Sequence, residues 1–126
     1  MKLRTYFVED NPTIRENLIA TLAELADVEA VGTADTELDA THWLTQNADA
    51  WDLVVVDLFL RQGSGLGVVN ALQARPKNQK LLVLSNYATP DVRERCQRLN
   101  ADAIFDKSNE IDGLVDFCID LNTNKV

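Results

Sequence analysis

Histidine, cysteine and proline are scarce in this chain of 126 residues, which has one, two and three of them respectively. Because His42 is the only histidine, no zinc site of the usual ligand spacing can be built. The same scarcity excludes a Ser-His-Asp or Cys-His catalytic set unless His42 is its base. Cys96 and Cys118 each lie in a segment with helical apolar spacing, which predicts two small buried side chains.

The chain also has few basic residues and no long apolar run. Twelve Lys and Arg against twenty Asp and Glu give a formal net charge of −8, which argues against nucleic acid and against anionic membrane surfaces as partners. The longest near-apolar run, residues 53–60, is interrupted by Asp57 and falls far short of the ~20 residues that span a bilayer. The N-terminal segment has no signal-peptide core, which predicts a cytoplasmic location.

What the chain does contain is a regular alternation of strand and helix patterns, with no repeat or linker. The predicted strands are residues 3–8, 28–33, 53–56, 80–84 and 103–105. Asn11-Pro12 and Thr89-Pro90 predict helix starts, and the three glycines in residues 61–67 predict a loop. The predicted apolar helix faces are Ile14, Leu18, Leu22 and Leu25; Leu38, Ala40, Trp43 and Leu44; Leu66, Val69 and Leu72; Val92, Cys96 and Leu99; and Ile111, Leu114, Cys118 and Leu121.

Five consecutive strand–helix units predict one α/β domain over residues 1–126. The expected architecture is a flavodoxin-like, doubly wound (βα)5 fold: a five-stranded parallel sheet with helices on both faces. Residues 53–56 are all aliphatic without alternation, which indicates a central strand buried on both faces. In such sheets functional residues gather beyond the carboxyl ends of the strands.

Polar side chains follow four of the predicted strands. Glu9 and Asp10 follow the first, Asp57 ends the third, Ser85 ends the fourth, and Lys107 follows the fifth. Carboxylates ~4 Å apart repel by about 4 kcal/mol per pair at an effective dielectric of ~20, so a divalent cation and Lys107 are needed to offset the charge. Mg²⁺ prefers oxygen ligands. A carboxylate beside Mg²⁺, an ammonium and a hydroxyl is suited to attack phosphorus and form an aspartyl phosphate.

These motifs resemble those of a response-regulator receiver domain, including the single-domain chemotaxis regulators. The resemblance covers essentially the whole chain and depends on the order of four short motifs. They are Val8-Glu9-Asp10, Val55-Val56-Asp57-Leu58, Leu84-Ser85 and Asp106-Lys107, placed after strands one, three, four and five.

The resemblance assigns expected roles to single residues. It implies that Asp57 is the phosphoacceptor, that Asp10 is a direct Mg²⁺ ligand and that Glu9 acts on the metal through water. The backbone carbonyl of Phe59 is expected to complete the metal site, together with the Asp57 carboxylate. Ser85 is expected to bond a phosphoryl oxygen and to move on activation, and Lys107 is expected to pair with the phosphoryl group.

The chain departs from the family pattern at the positions that tune and transmit the signal. Ile104, followed by Phe105, stands where the family often has Tyr or Phe as a rotamer switch, which argues against an aromatic-swing mechanism. Phe59 and Tyr87 lie two residues beyond Asp57 and Ser85, where family members control hydrolysis of the phosphoryl group. Two bulky rings at these positions predict slow hydrolysis.

The implied function is that of a phosphoacceptor rather than an enzyme. A sensor histidine kinase or a histidine phosphotransfer protein would supply the phosphoryl group, and an unidentified protein target would receive the signal. An alternative is the receiver part of a longer regulator. A small aspartyl-phosphate phosphohydrolase would need a second acid where Phe59 stands, and a flavin-binding module would meet a repulsive acidic edge.

The remaining conspicuous residues have ordinary structural interpretations. The spacing of residues 63–67 is not that of a nucleotide-binding G-x-G-x-x-G loop. His42 is expected at the surface, and Trp43 and Trp51 are expected at the edges of the helical layer. The acids Asp112, Asp116 and Asp120 recur at every fourth residue, which is typical of a solvated helix face.

Overall fold

The computed structural model describes residues 2–123, which form five parallel strands that alternate with five helices. The elements are β1 (Leu3–Val8), α1 (Pro12–Ala26), β2 (Val28–Ala34), α2 (Glu37–Gln46), β3 (Leu53–Asp57), α3 (Gly65–Ala71), β4 (Lys80–Ser85), α4 (Pro90–Arg98), β5 (Ala103–Asp106) and α5 (Ile111–Thr123). The strands form one sheet in the order β2-β1-β3-β4-β5. The predicted doubly wound (βα)5 fold is confirmed.

Two hydrophobic cores lie on opposite faces of the sheet, as the absence of alternation in β3 predicts. Val54 and Val56 of β3 pack with α2, α3 and α4, whereas Leu53 and Val55 pack with α1 and α5. All five residues of β3 are buried. The sheet is therefore covered by helices on both faces, and its carboxyl edge is left for the polar residues.

Side-chain caps begin the helices that follow the carboxyl edge of the sheet. The Asn11 side chain accepts a hydrogen bond from the N–H of Ile14, and the Thr89 hydroxyl accepts one from the N–H of Val92. A proline follows each cap as the first helical residue, as predicted. These caps fix where the loops after β1 and β4 end.

The predicted loop over residues 61–67 is too long, because α3 already begins at Gly65. Ser64 caps this helix through its hydroxyl, which accepts from the N–H of Leu66. A Cβ atom at residue 65 would collide with the backbone carbonyl of Asp57, so only glycine allows this helix to start so close to β3. The glycines here serve close packing rather than nucleotide binding.

Several predicted helix positions and one tryptophan differ from expectation. Ile14, Leu25 and Leu38 are exposed, because the buried stripes of α1 and α2 are narrower than the apolar pattern suggests. Trp51 lies in the core rather than at the edge of a helical layer, and only 2% of its surface is exposed. Its indole N–H donates to the carbonyl of Leu44, which satisfies the one polar atom of the ring.

Other sequence predictions are confirmed. Cys96 and Cys118 are buried free thiols, and His42 is exposed. The acids of α5, Asp112, Asp116 and Asp120, all face solvent. Within residues 2–123, no helix combines the length and the apolar character that crossing a membrane requires.

Candidate functional site

Three carboxylates meet where β1 and β3 end side by side. Val8 of β1 pairs with Val56 of β3, so the residues that follow them, Glu9, Asp10 and Asp57, share one edge of the sheet. Each of these three acids offers an oxygen atom within 4.8 Å of the others. Glu9 and Asp57 are almost fully buried, with 3% and 6% of their surface exposed. The structure therefore brings together the three acids that the sequence predicts to converge.

Lys107 supplies positive charge to this acid cluster from two strands away. Its Nζ lies 2.5 Å from Oε1 of Glu9 and 3.1 Å from Oδ2 of Asp57. The lysine follows β5, and its backbone N–H donates to the carbonyl of Ser85 at the end of β4. Its side chain thus crosses the end of β4 to reach β3 and β1, and it offsets the repulsion between buried carboxylates.

Burial and mutual contact shift the pKa values of this ion pair. Burial raises the pKa of Glu9, and the nearby charge of Asp57 raises it further, against the opposing effect of Lys107. Burial alone would lower the pKa of Lys107, but its hydrogen bond to Glu9 and the charge of Asp57 raise it overall. Lys107 therefore stays protonated at neutral pH and remains the cation of the cluster.

Backbone amides of the β3–α3 loop orient two of the carboxylates. The N–H of Phe59 donates to Oδ1 of Asp57 over 3.2 Å, and the N–H of Arg61 donates to Oδ2 of Asp10 over 2.7 Å. The Arg61 contact was not predicted, because a hydrogen bond from a loop amide leaves no trace in residue type. The loop after the proposed phosphoacceptor therefore holds both that residue and the proposed metal ligand.

Ser85 connects the cluster to the loop between β4 and α4. It is completely buried, and its hydroxyl oxygen accepts a hydrogen bond from the N–H of Tyr87 over 3.0 Å. Its strand neighbour Leu84 pairs with Asp57, so the end of β4 lies directly beside the end of β3. Ser85 is placed where the sequence predicts, at the same sheet edge as Asp57 and Lys107.

The rings of Phe59 and Tyr87 form an exposed aromatic pair. Their centroids are 5.4 Å apart and their planes meet at 81°, which is an edge-to-face contact. Phe59 is 56% exposed and Tyr87 is 65% exposed. The pair joins the β3–α3 loop to the β4–α4 loop, a contact between the two predicted tuning positions that the sequence alone does not reveal.

Ile104 and Phe105 point to opposite faces of β5. Ile104 packs against the core beneath α2, α3 and α4, whereas Phe105 packs against the core beneath α1 and α5 and contacts the ring of Phe117. Both side chains are partly buried.

An arginine that the sequence analysis did not single out connects β5 to the β4–α4 loop. Arg93 of α4 donates to the backbone carbonyls of Ala88 and Ile104 and forms an ion pair of 2.5 Å with Glu110. Glu110 in turn accepts from the N–H of Asp106. No sequence pattern marks this contact, because an arginine on a helix is usually a solvated surface residue.

The donor set of the acid cluster fits a hard divalent cation. Every candidate ligand atom is an oxygen, two of the three acids are buried, and no nitrogen or sulfur donor belongs to the group. This chemistry suits Mg²⁺ better than zinc, which favours nitrogen and sulfur ligands. The role of the Phe59 carbonyl as a further ligand remains a prediction.

Comparison with known proteins places the chain among signalling domains. The sequence model of the response regulator receiver domain matches residues 6–118, and no curated protein sequence matches the chain. The receiver domain of the putative response regulator NarL from Mycobacterium tuberculosis has a TM-score of 0.82 at 21% identity, with 98% of each chain covered.

Two further solved structures have the same fold. The phosphorylated cyanobacterial phytochrome response regulator RcpA has a TM-score of 0.74 at 24% identity, covering 97% of this chain and 92% of that one. The CheX–CheY–BeF3–Mg complex from Borrelia burgdorferi contains a chain with a TM-score of 0.83 at 13% identity, covering 95% of this chain and 89% of that one. Because the family match spans most of its length, the chain belongs to the response regulator receiver domain family.

Proposed function

We propose that this receiver domain accepts a phosphoryl group on Asp57 from a phosphohistidine, in a reaction that depends on Mg²⁺. The donor would be a sensor histidine kinase or a histidine phosphotransfer protein in the cytoplasm, and the phosphorylated form would act by binding a protein target. One observation carries the proposal: the buried Asp57 carboxylate contacts the Lys107 ammonium over 3.1 Å inside a cluster of oxygen ligands.

In the proposed transfer, a carboxylate oxygen of Asp57 attacks the phosphorus of the phosphohistidine. The P–N bond breaks, the imidazole leaves with its electron pair and takes up a proton, and an aspartyl phosphate forms. The N–H of Phe59 holds the attacking carboxylate in place, and Lys107, already within contact distance, pairs with a phosphoryl oxygen. A bound Mg²⁺ would supply further charge neutralisation at the phosphoryl oxygens.

Asp10, Asp57 and the Phe59 carbonyl would hold the metal directly, and Glu9 would hold it through water. Ser85 would donate its O–H to a phosphoryl oxygen, and the same hydroxyl oxygen accepts the N–H of Tyr87, so Ser85 links the phosphoryl group to the β4–α4 loop. We infer that forming this contact shifts the β4–α4 loop between two arrangements and so transmits the signal. Water attack at phosphorus would then break the P–O bond and return the free carboxylate and phosphate.

The residues at the site favour a phosphoacceptor over a phosphohydrolase. A hydrolase with an aspartyl-phosphate intermediate needs a second acid two residues after the nucleophile, to activate the leaving group and the water. The phenyl ring of Phe59 occupies that position and contacts Tyr87. We therefore expect one phosphoryl group per chain and no sustained turnover of small phosphate esters.

The direct test is chemical phosphorylation followed by intact-mass measurement. With acetyl phosphate and Mg²⁺, the wild-type protein should gain the mass of one phosphoryl group, and Asp57→Asn should gain none. Asp106→Asn is a matched control, because Asp106 ends β5 at the same sheet edge and its carboxylate accepts the N–H groups of Ser108 and Asn109, outside the acid cluster. Full phosphorylation of Asp57→Asn would overturn the assignment.

A further inference from the structure

A groove opens beside the acid cluster, between the β3–α3 loop and α4. Its volume is ≈ 490 Å³, which lies within the range of about 300–1,000 Å³ that is usual for binding sites. The side chains that line it are mostly apolar: Leu58, Phe59, Leu60, Leu66 and Val92. We call it the α3–α4 groove. It could take apolar side chains of a ligand without a change in the fold.

The charged side chains of the α3–α4 groove are mainly cationic. Arg61 and Arg95 line it, and Asp10 is the acid among its lining residues. Arg95 makes no side-chain hydrogen bond or ion pair within the described part of the chain. The Arg61 side chain is 82% exposed, and its Nε lies 4.0 Å from Oδ2 of Asp10 in an ion pair. Asp10 already accepts the N–H of Arg61. In a chain of formal net charge −8, this local excess of guanidinium groups complements an anionic ligand.

We propose that the α3–α4 groove docks an acidic segment of a partner protein. Apolar side chains of the segment enter the groove, and its carboxylates pair with Arg61 and Arg95. Guanidinium groups suit this role because their planar fork matches a carboxylate with two parallel hydrogen bonds. Both arginines are exposed, so Arg95 can meet a partner directly and the partner's carboxylates can compete with Asp10 for Arg61.

Both walls of the α3–α4 groove are attached to the proposed phosphorylation site. One wall directly follows Asp57, and its residue Phe59 donates a backbone hydrogen bond to that carboxylate. The other wall is α4, which begins at the end of the loop that Ser85 holds. Phosphorylation therefore alters the docking affinity, and docking shifts the equilibrium constant of phosphorylation by the same factor. This coupling rests on the proposed function of Asp57, whereas the docking itself does not.

Two short labelled peptides test the docking on the unmodified protein by fluorescence anisotropy. They share their leucines and differ in having either glutamate or lysine between them. The glutamate peptide should bind at least about tenfold more tightly than the lysine peptide, because only its charges complement the groove. Arg95→Glu should reverse this preference, and Arg95→Lys should retain part of it.

Arg98→Glu is the matched control for these variants. Arg98 lies on the same helix but is paired with Glu94 and does not line the groove, so its replacement should leave peptide affinity unchanged. Amide chemical-shift changes on binding should centre on Leu66 and Val92. Equal affinity for both peptides, an equal loss in Arg98→Glu, or shift changes elsewhere would each overturn the docking proposal.

A separate arm tests the coupling. The protein is treated with acetyl phosphate and Mg²⁺, its phosphorylation is verified by mass, and the affinity for the glutamate peptide is measured again. A change of severalfold is expected. An unchanged affinity of the verified phosphorylated form overturns the coupling, whereas a protein that gains no phosphoryl group contradicts the proposed function of Asp57 and leaves the docking result valid.

Discussion

Asp10 shows how one carboxylate can serve the loop and a metal at once. Its Oδ2 accepts the N–H of Arg61 over 2.7 Å, which ties the β3–α3 loop to the end of β1. A carboxylate has two oxygens with about four lone-pair sites, so this bond leaves capacity for a cation. Substitution by asparagine keeps an acceptor for the Arg61 amide while it removes the charge.

Asp10→Asn should therefore abolish the stabilisation that Mg²⁺ gives without loosening the loop. A ligand that binds only the native state stabilises it by RT ln(1 + [L]/Kd), about 2.7 kcal/mol at a hundred times Kd. Urea unfolding with and without Mg²⁺ measures this gain for each variant. His42→Ala, a change of an exposed residue on α2, should keep it. If Asp10→Asn kept the Mg²⁺-dependent gain in stability and His42→Ala lost it, the metal would bind elsewhere.

Phe59 and Tyr87 should control how long the aspartyl phosphate persists. Their rings contact each other across two loops beside the proposed phosphoryl site, and hydrolysis needs a water in line with the breaking P–O bond. The double change Phe59→Asn with Tyr87→Glu should shorten the lifetime severalfold, because it removes two apolar rings and adds polar contacts for water. Decay of the phosphorylated mass with time measures the effect.

Tyr87→Phe is the control for that comparison, because it keeps the ring that contacts Phe59. Its decay should match the wild type. Equal or slower decay of the double variant would show that the rings do not limit water access.

At the scale of elements, α4, the β4–α4 loop and β5 are joined by the side chain of Arg93. It donates to the carbonyls of Ala88 and Ile104, and its partner Glu110 also accepts the N–H of Asp106. The hydrogen bond from Arg93 lowers the pKa of Glu110, and the bond from the Asp106 amide acts in the same direction. Arg93 thus bonds the carbonyl of Ile104, the residue that stands where the family often has an aromatic side chain, and it links α4 to β5 by a polar contact.

The lowered pKa gives a signed prediction for Glu110→Gln. A group whose pKa is lower in the folded state stabilises the fold above its unfolded pKa, and that contribution is lost as pH falls through the folded pKa. Glu110→Gln should therefore be less stable than the wild type near neutral pH, with the difference vanishing in acid. Urea midpoints across this range measure it.

Glu94→Gln provides the comparison, because Glu94 pairs with the exposed Arg98 alone within residues 2–123. An exposed pair of this kind contributes little to stability, so its replacement should give a smaller effect at every pH. An effect of Glu110→Gln that does not depend on pH would contradict the assignment.

At the scale of the whole molecule, the sequence predicts the fold and the acid cluster for the same reason. Unbroken aliphatic strands such as residues 53–56 can only be buried between two helical layers, and parallel strands then bring their polar carboxyl ends together. That rule alone predicts that Glu9, Asp10, Asp57, Ser85 and Lys107 converge at one edge of the sheet.

The sequence does not predict contacts made by backbone groups, nor which apolar helix faces are left uncovered by other elements. The Arg61 amide that holds Asp10 and the carbonyls that receive Arg93 carry no residue-specific pattern. Leu38 satisfies the apolar spacing of α2 and yet is 77% exposed, because periodicity shows a helix face but not whether another element covers it. Trp51 packs in the core with its indole N–H bonded to the backbone carbonyl of Leu44, a partner that residue type does not reveal.

Lys107 links the carboxyl ends of four of the five strands. From the end of β5 it reaches Asp57 on β3 and Glu9 on β1, so one side chain spans the carboxyl ends of four strands. Removing one partner of a buried ion pair leaves uncompensated charge, which costs about 3–5 kcal/mol. Lys107→Met keeps most of the side-chain volume and removes only the cation.

Lys107→Met should therefore lower the free energy of unfolding by about 3–5 kcal/mol in the absence of divalent cations. The same Mg²⁺ concentration should then stabilise this variant more than the wild type, because the cation enters a cluster of greater negative charge. Paired urea titrations with and without Mg²⁺ measure both effects. Lys80→Met, at the opposite end of β4, should show neither. Unchanged stability of Lys107→Met, or an equal response to Mg²⁺ in both proteins, would mean that the cluster does not depend on this lysine for its charge balance.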